Sequence, residues 1–180
     1  MQENESSTFQ PKPLNDDWSE WLIGHWEGSA ESSVGNAQVW MHIYYGLMGQ
    51  FLIIESESLT TEINEEHEQY YRNVLGVSEE DIEASRGATF KGLQIFTIDP
   101  ETDEVVGYLF DSLRCIAQGR GKRKEDQEVT QWKWSETGEG ATSVSTVTRI
   151  SQDRFTLQNK YDLPNGNSME DRIEMMRKVS

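Results

Sequence analysis

His42 and Tyr44, with Glu55 and Glu57 a little further on, are the residues whose types and spacing could move a proton. An imidazole and a phenol two positions apart share one face of a β-strand, and a carboxylate on the following strand could join them. Such a set could polarise a carbonyl or act as general acid and base. A lone strand histidine is equally at home as a hydrogen-bonded core residue, so spacing leaves both uses open. The three histidines, His25, His42 and His67, show no paired ligand spacing on one strand, and no metal site is expected. The single cysteine, Cys115, has no partner for an internal disulfide. With Leu113 and Ala117 on its own strand face, it reads as an inert buried thiol. There is no Gly-x-Ser-x-Gly elbow, phosphate loop or dinucleotide fingerprint. No catalytic residue and no cofactor is therefore assigned.

The charge balance narrows the partners. The chain has 180 residues and a formal net charge of -16. Phosphate backbones and anionic membranes call for basic surfaces, so nucleic acid and membrane partners are disfavoured, and the charge serves solubility. One basic island, Gly119-Arg120-Gly121-Lys122-Arg123-Lys124, stands out. It reads as a solubilising turn over Arg120–Asp126 or as a dock for an acidic partner. Met1 to Asn15 has no apolar core of a signal peptide, and the longest apolar run is Phe51-Leu52-Ile53-Ile54. A cytoplasmic location is expected.

The elements that must position these residues are short strands. Residues 1–16 read as a flexible arm, and Asp16 to Leu22 as a short helix that could plug one end of a barrel. From Trp26 onward the hydrophobic period is two. Strands are expected around 40–45, 51–59, 93–98, 105–111, 113–119, 129–134, 143–150, 155–161 and 169–179. Asp99 to Asp103 and Pro164 to Asn167 supply clear turn chemistry. Nine or ten strands in hairpin succession point to an all-β, up-and-down antiparallel barrel formed by residues 17–180, with a sandwich as the rival. Residues 62–86 break the pattern. Tyr70, Val74 and Val77 have helical spacing, and Ser78 precedes three acids like a helix cap. This is a helical insertion: a solvated excursion or a lid over the barrel mouth.

Alternation also nominates an interior. Phe155, Leu157, Asn159 and Tyr161 share a face, as do Trp132 and Trp134. Trp40, His42 and Tyr44 form a third inward wall, for which Met41, Ile43 and Tyr45 compete. The candidate ligand-binding wall is thus Trp40, His42, Tyr44, Trp132, Trp134, Asn159 and Tyr161. An apolar cavity with a few polar handles suits a small, largely apolar molecule; a packed core satisfies the same pattern.

Gly24-His25-Trp26-Glu27-Gly28 resembles the opening strand of lipocalin-like proteins. The segment from Phe96 to Ser112, FTIDPETDEVVGYLFDS, and the ending Glu174-Met175-Met176-Arg177 are similar to an uncharacterised bacterial lipocalin-like family. The resemblance covers residues 18–179 and implies a calycin-type barrel. It further implies that Trp26 closes one end beneath the basic group of the last strand, Arg177, as a cation–π pair. Nitrobindins, calycin-like barrels that bind haem, place a histidine ligand in their C-terminal part; no histidine follows His67, so haem is not expected. Binding of a small apolar ligand is the leading expectation. The alternatives are a calycin-fold enzyme using His42, and a non-catalytic module that dimerises through a strand edge or barrel wall.

Overall fold

The computed structural model describes residues 13–14, 16–33, 35–65, 68–69, 72, 78–135, 141–163 and 166–179. Helix α1 (Asp17–Leu22) leads into ten strands: β1 (Gly24–Ser32), β2 (Gly35–Gly46), β3 (Phe51–Ile63), β4 (Thr89–Ile98), β5 (Val105–Asp111), β6 (Ile116–Lys124), β7 (Gln127–Ser135), β8 (Thr142–Ser151), β9 (Arg154–Asp162) and β10 (Ser168–Arg177). Each strand pairs antiparallel with its neighbours in sequence, and β1 pairs with β10, so the sheet closes into an up-and-down barrel. Closure removes every strand edge, which bears against the expected pairing of copies through an edge. No helix among the described residues is long and apolar enough to cross a membrane.

One end of the barrel is plugged. Asp16 caps α1 by accepting from the Ser19 backbone N–H at 2.9 Å and the Ser19 hydroxyl at 2.7 Å. The helix thereby delivers Trp18, Trp21 and Leu22 into the core, where Trp21 meets Trp26 and Phe155 edge to face. Trp26 itself is 1% exposed and lies under the Arg177 guanidinium at 4.2 Å, its partner in the β1–β10 register.

Two turns fall elsewhere than the alternation implied. The strand expected over 113–119 begins only at Ile116. The Asp111 carboxylate accepts from the backbone N–H groups of Leu113 and Cys115 and holds Arg114 at φ +66°, which bends the chain into a turn first. Cys115 is accordingly half-buried at a strand entrance. The basic island is strand up to Lys124, and the β6–β7 turn is just Glu125 and Asp126. Three of its four cations have partners: Arg120 faces Asp99 and Glu104, Lys122 faces Glu104, and Arg123 faces Asp16 and Glu128. A dock for an acidic partner therefore finds little free charge there.

The β3–β4 connection is the helical insertion. Helix α2 (Glu79–Ser85) starts on the Ser78 cap and buries Ile82. Glu68 ties Arg72 and Arg86 together, and Arg72 also bonds Glu79. His67, Tyr70, Val74 and Val77 lie outside the described residues, as do Pro164, Asn165 and most of the expected N-terminal arm. Within that arm, the Leu14 N–H donates to the Gly49 carbonyl at the β2–β3 tip, 2.7 Å away.

Candidate functional site

The barrel is not filled: it encloses a cavity of about 370 Å³. Leu22 and Arg123 floor it at the plugged end. Asn36, Thr60 and Glu62 line it at the end where the insertion leaves β3, although no described residue of 64–88 takes part. The two sides differ in chemistry. Val39, Met41, Ile43, Leu52, Ile54 and Phe96 make the side formed by β2 to β4 mostly apolar in its deeper part, with Gln94 among them and Ser56 and Ser58 above towards Thr60 and Glu62.

The opposite wall, β7 to β10, carries a chain of hydrogen bonds. Trp132 Nε1 donates to Ser145 Oγ at 3.0 Å, and Ser145 Oγ donates to Asn159 Oδ1 at 2.5 Å. Asn159 Nδ2 donates to Asp171 Oδ1 at 2.6 Å, and the Tyr161 hydroxyl donates to Asp171 Oδ2 at 3.2 Å. Trp134 Nε1 donates to Ser143 Oγ at 2.9 Å. Register explains the chain, because Ser145 pairs with Asn159 and Asn159 with Asp171, so consecutive strands offer polar groups at one level. Trp132 lies on a glycine floor: a Cβ at Gly107 or Gly119 would come within 3.0 and 2.7 Å of its ring.

Trp132, Trp134, Asn159 and Tyr161 thus stand where alternation placed them. Trp40, His42 and Tyr44 do not: they face outward. Cross-strand partners share a face, and Met41 pairs with the buried Trp26, so Met41 must point in. His42 pairs with His25 instead, the two rings stacked outside at 4.2 Å. The proton-moving set does assemble, but on the convex surface. Tyr44 donates to Glu55 at 3.1 Å, which raises the phenol's pKa, and His42 Nδ1 lies 3.9 Å from Glu55. Beside it runs an open groove of about 600 Å³ lined by Trp40, Leu93 and Phe110. His42 therefore cannot act on anything held in the barrel.

Asp171 is the interior residue that pattern reading passed over. It shares parity with Ile173, Met175 and Arg177, so alternation alone would have found it. Burial pushes its carboxyl above the usual aspartate range, against the hydrogen bonds from Asn159 and Tyr161, and no basic group among the described residues offsets it. Burial and the same carboxylate push the Tyr161 phenol far up, which keeps it a donor. A carboxyl with a raised folded-state pKa holds its proton more tightly folded than unfolded. Its contribution to stability is full below the ordinary value of 3.8 and is lost as pH rises through the folded value. An asparagine side chain in its place carries no buried charge: its oxygen can accept from Asn159 Nδ2, and its amide group can donate to the Tyr161 hydroxyl oxygen in place of accepting from it. Asp171→Asn is therefore expected to be more stable than the parent by about 1 kcal/mol at neutral pH. The gap should close as pH falls below the ordinary aspartate value. Urea melts of both proteins across that range check this; a gap independent of pH would mean that the charge is not responsible.

No model of a known protein family matches this chain, and no curated protein does. Solved structures do. The S-type phycobiliprotein lyase CpeS from Guillardia theta is 12% identical with a TM-score of 0.59, covering 91% of this chain and 92% of that one. A de novo designed fluorescence-activating β-barrel is 13% identical with a TM-score of 0.44, covering 91% and 99%. A barrel solved with DFHBI bound is 10% identical with a TM-score of 0.42, covering 89% and 96%. The first of these shares the fold of this chain, a closed up-and-down antiparallel β-barrel.

Proposed function

We propose that this barrel binds a small, largely apolar molecule in its interior, with Trp132, Trp134, Asn159 and Tyr161 at the contact surface. The observation that carries the reading is the two-sided cavity. Its volume lies within the range of small-molecule sites, and it pairs an apolar wall with a few placed polar groups. That the CpeS structure, from a phycobiliprotein lyase, shares the fold agrees with a barrel that handles a small molecule. The bacterial lipocalin-like family remains the kinship we favour on the Phe96–Ser112 hairpin, and the cytoplasm the favoured location.

A second reading, self-association through the barrel wall, is favoured by one observation. Trp40, Leu93, Tyr108 and Phe110 are exposed on the outer face of β2 to β5.

Native mass spectrometry of protein purified from its own host tests both. An added mass lost on denaturation is expected, whereas a bare dimer would favour the second reading. The molecule so identified should bind Trp134→Ala at least about tenfold more weakly, while thermal stability falls only modestly, because Trp134 is half-buried at the cavity wall. Equal loss of fold and binding would remove the case for a dedicated pocket.

A further inference from the structure

The chemistry of the polar wall narrows the ligand class, an inference that rests on the cavity reading above. Asp171 is the group to explain. An acid within a barrel wall is disfavoured unless something compensates it. Here the side chains of Asn159 and Tyr161 each give one hydrogen bond, one to each carboxylate oxygen, and the Asn159 backbone adds a further interaction, while a carboxylate offers about four acceptor positions. Unused acceptor capacity therefore remains beside the cavity that Asp171 lines. The Tyr161 ring stands next to it through its hydroxyl, and the Trp134 ring lies beyond, its centroid 6.2 Å from that of Tyr161. Aromatic faces beside a carboxylate form a favourable setting for a cationic nitrogen.

Anions meet the opposite conditions. Among the described residues lining the cavity, Arg123 is the one cation. Its guanidinium is engaged by Glu128 at 2.7 Å and by Asp16 at 2.8 Å, with Ser19 Oγ at 3.2 Å. A fatty-acid carboxylate would find no unpaired positive group there. It would also approach against a chain of net charge -16, while a cation would be drawn in.

We propose that the cavity takes an amphiphilic cation: an amine or amidine whose nitrogen seats on Asp171 beside Trp134 and Tyr161, with its apolar body against the wall of β2 to β4. The nitrogen supplies the charge that the fold withholds from Asp171, and the separation of the two walls fixes its orientation. The raised pKa of the Asp171 carboxyl agrees with a site made for a positive partner.

Three ligands with the same ten-carbon chain test this on the full chain: decylamine, 1-decanol and decanoate, followed by tryptophan fluorescence and calorimetry. Decylamine is expected to bind at least about tenfold more tightly than decanol, as a charge-assisted bond requires, and decanoate most weakly. Asp171→Asn, checked for folding by circular dichroism, should bring decylamine to within about threefold of decanol and leave decanol unchanged. Equal binding of amine and alcohol by the parent protein overturns the proposal and leaves the apolar cavity standing. Tightest binding of decanoate does the same. An amine preference that survives Asp171→Asn also overturns it, by assigning the preference to the overall acidic field. If none of the three binds, the cavity reading itself fails, and this inference with it.

Discussion

Trp26→Ala is expected to lower stability by about 3–5 kcal/mol, the range for removing a fully buried aromatic ring. Trp26 joins three parts of the plugged end. Its ring packs edge to face on Trp21 and Phe155, with centroids 5.9 and 4.8 Å away, and its Nε1 donates to the Leu22 carbonyl at 2.8 Å. Arg177, on the inward-facing parity of β10, closes the arrangement at the barrel end. It donates to the carbonyls of Trp21, Ile23 and Gln152, and pairs with Asp153 at 3.3 Å. Arg177→Met keeps an apolar stem over the indole but leaves those carbonyls unsatisfied, for an expected loss of about 2–3 kcal/mol. Arg177→Lys should recover little, because one ammonium cannot serve three carbonyls while lying flat on a ring. The double variant should lose less than the two single losses combined, by about 1 kcal/mol, since the cation–π contact is removed in both. Urea denaturation of the four proteins measures this coupling. Strict additivity would mean that ring and guanidinium stabilise the end independently. Neither residue lines the cavity, so their variants report on the container alone.

That separation accounts for what the chain discloses before its structure is seen. Strand alternation is a strong local signal, and it located the barrel and the inward faces of β7 and β9, while acids at its N-terminus marked the helix that plugs it. Alternation fails where two sets of residues compete for one face. In β2, Trp40, His42 and Tyr44 are as bulky and aromatic as any interior set, and only the pairing of Met41 with Trp26 turns them outward. That pairing is a register between strands, which no single strand's sequence states. Side-chain turns are the second failure: Asp111 captures two backbone N–H groups and delays β6 to Ile116, where alternation starts the strand at Leu113. Asp171 is a failure of a third kind. Its parity is plain, but a lone acid in an apolar stripe looks like an exception to it. Its meaning emerges only when Asn159 and Tyr161 from the neighbouring strand are seen to hold it.

Gly28→Ala should be as damaging as the loss of Trp26, about 3 kcal/mol or more, although it adds only one methyl group. Gly28 is partnered with Met175 across the β1–β10 seam. A Cβ there would fall inside the Glu174 carbonyl and stand 2.9 Å from the Met175 sulfur, in one of the most deeply buried parts of the molecule. Backbone cannot yield as a flexible side chain can, so the seam itself must open. Hydrogen exchange should accelerate along β1 and β10 ahead of the other strands, and urea melts should shift accordingly; a variant with parental stability and protection would show that β10 can draw back. Gly24 obeys the same logic, because it sits at φ +134° and a Cβ there would reach within 2.8 Å of Arg177 Nη1. The three residues that give the chain its recognisable opening, Gly24, Trp26 and Gly28, therefore all serve closure against the last strand. None of them lines the cavity, whereas Ser145, Asn159 and Asp171, which do, lie outside any part of the sequence that resembles a motif. An opening of this kind can front barrels with different contents, and on the function proposed above the choice of ligand falls to a level of polar residues on β8 to β10.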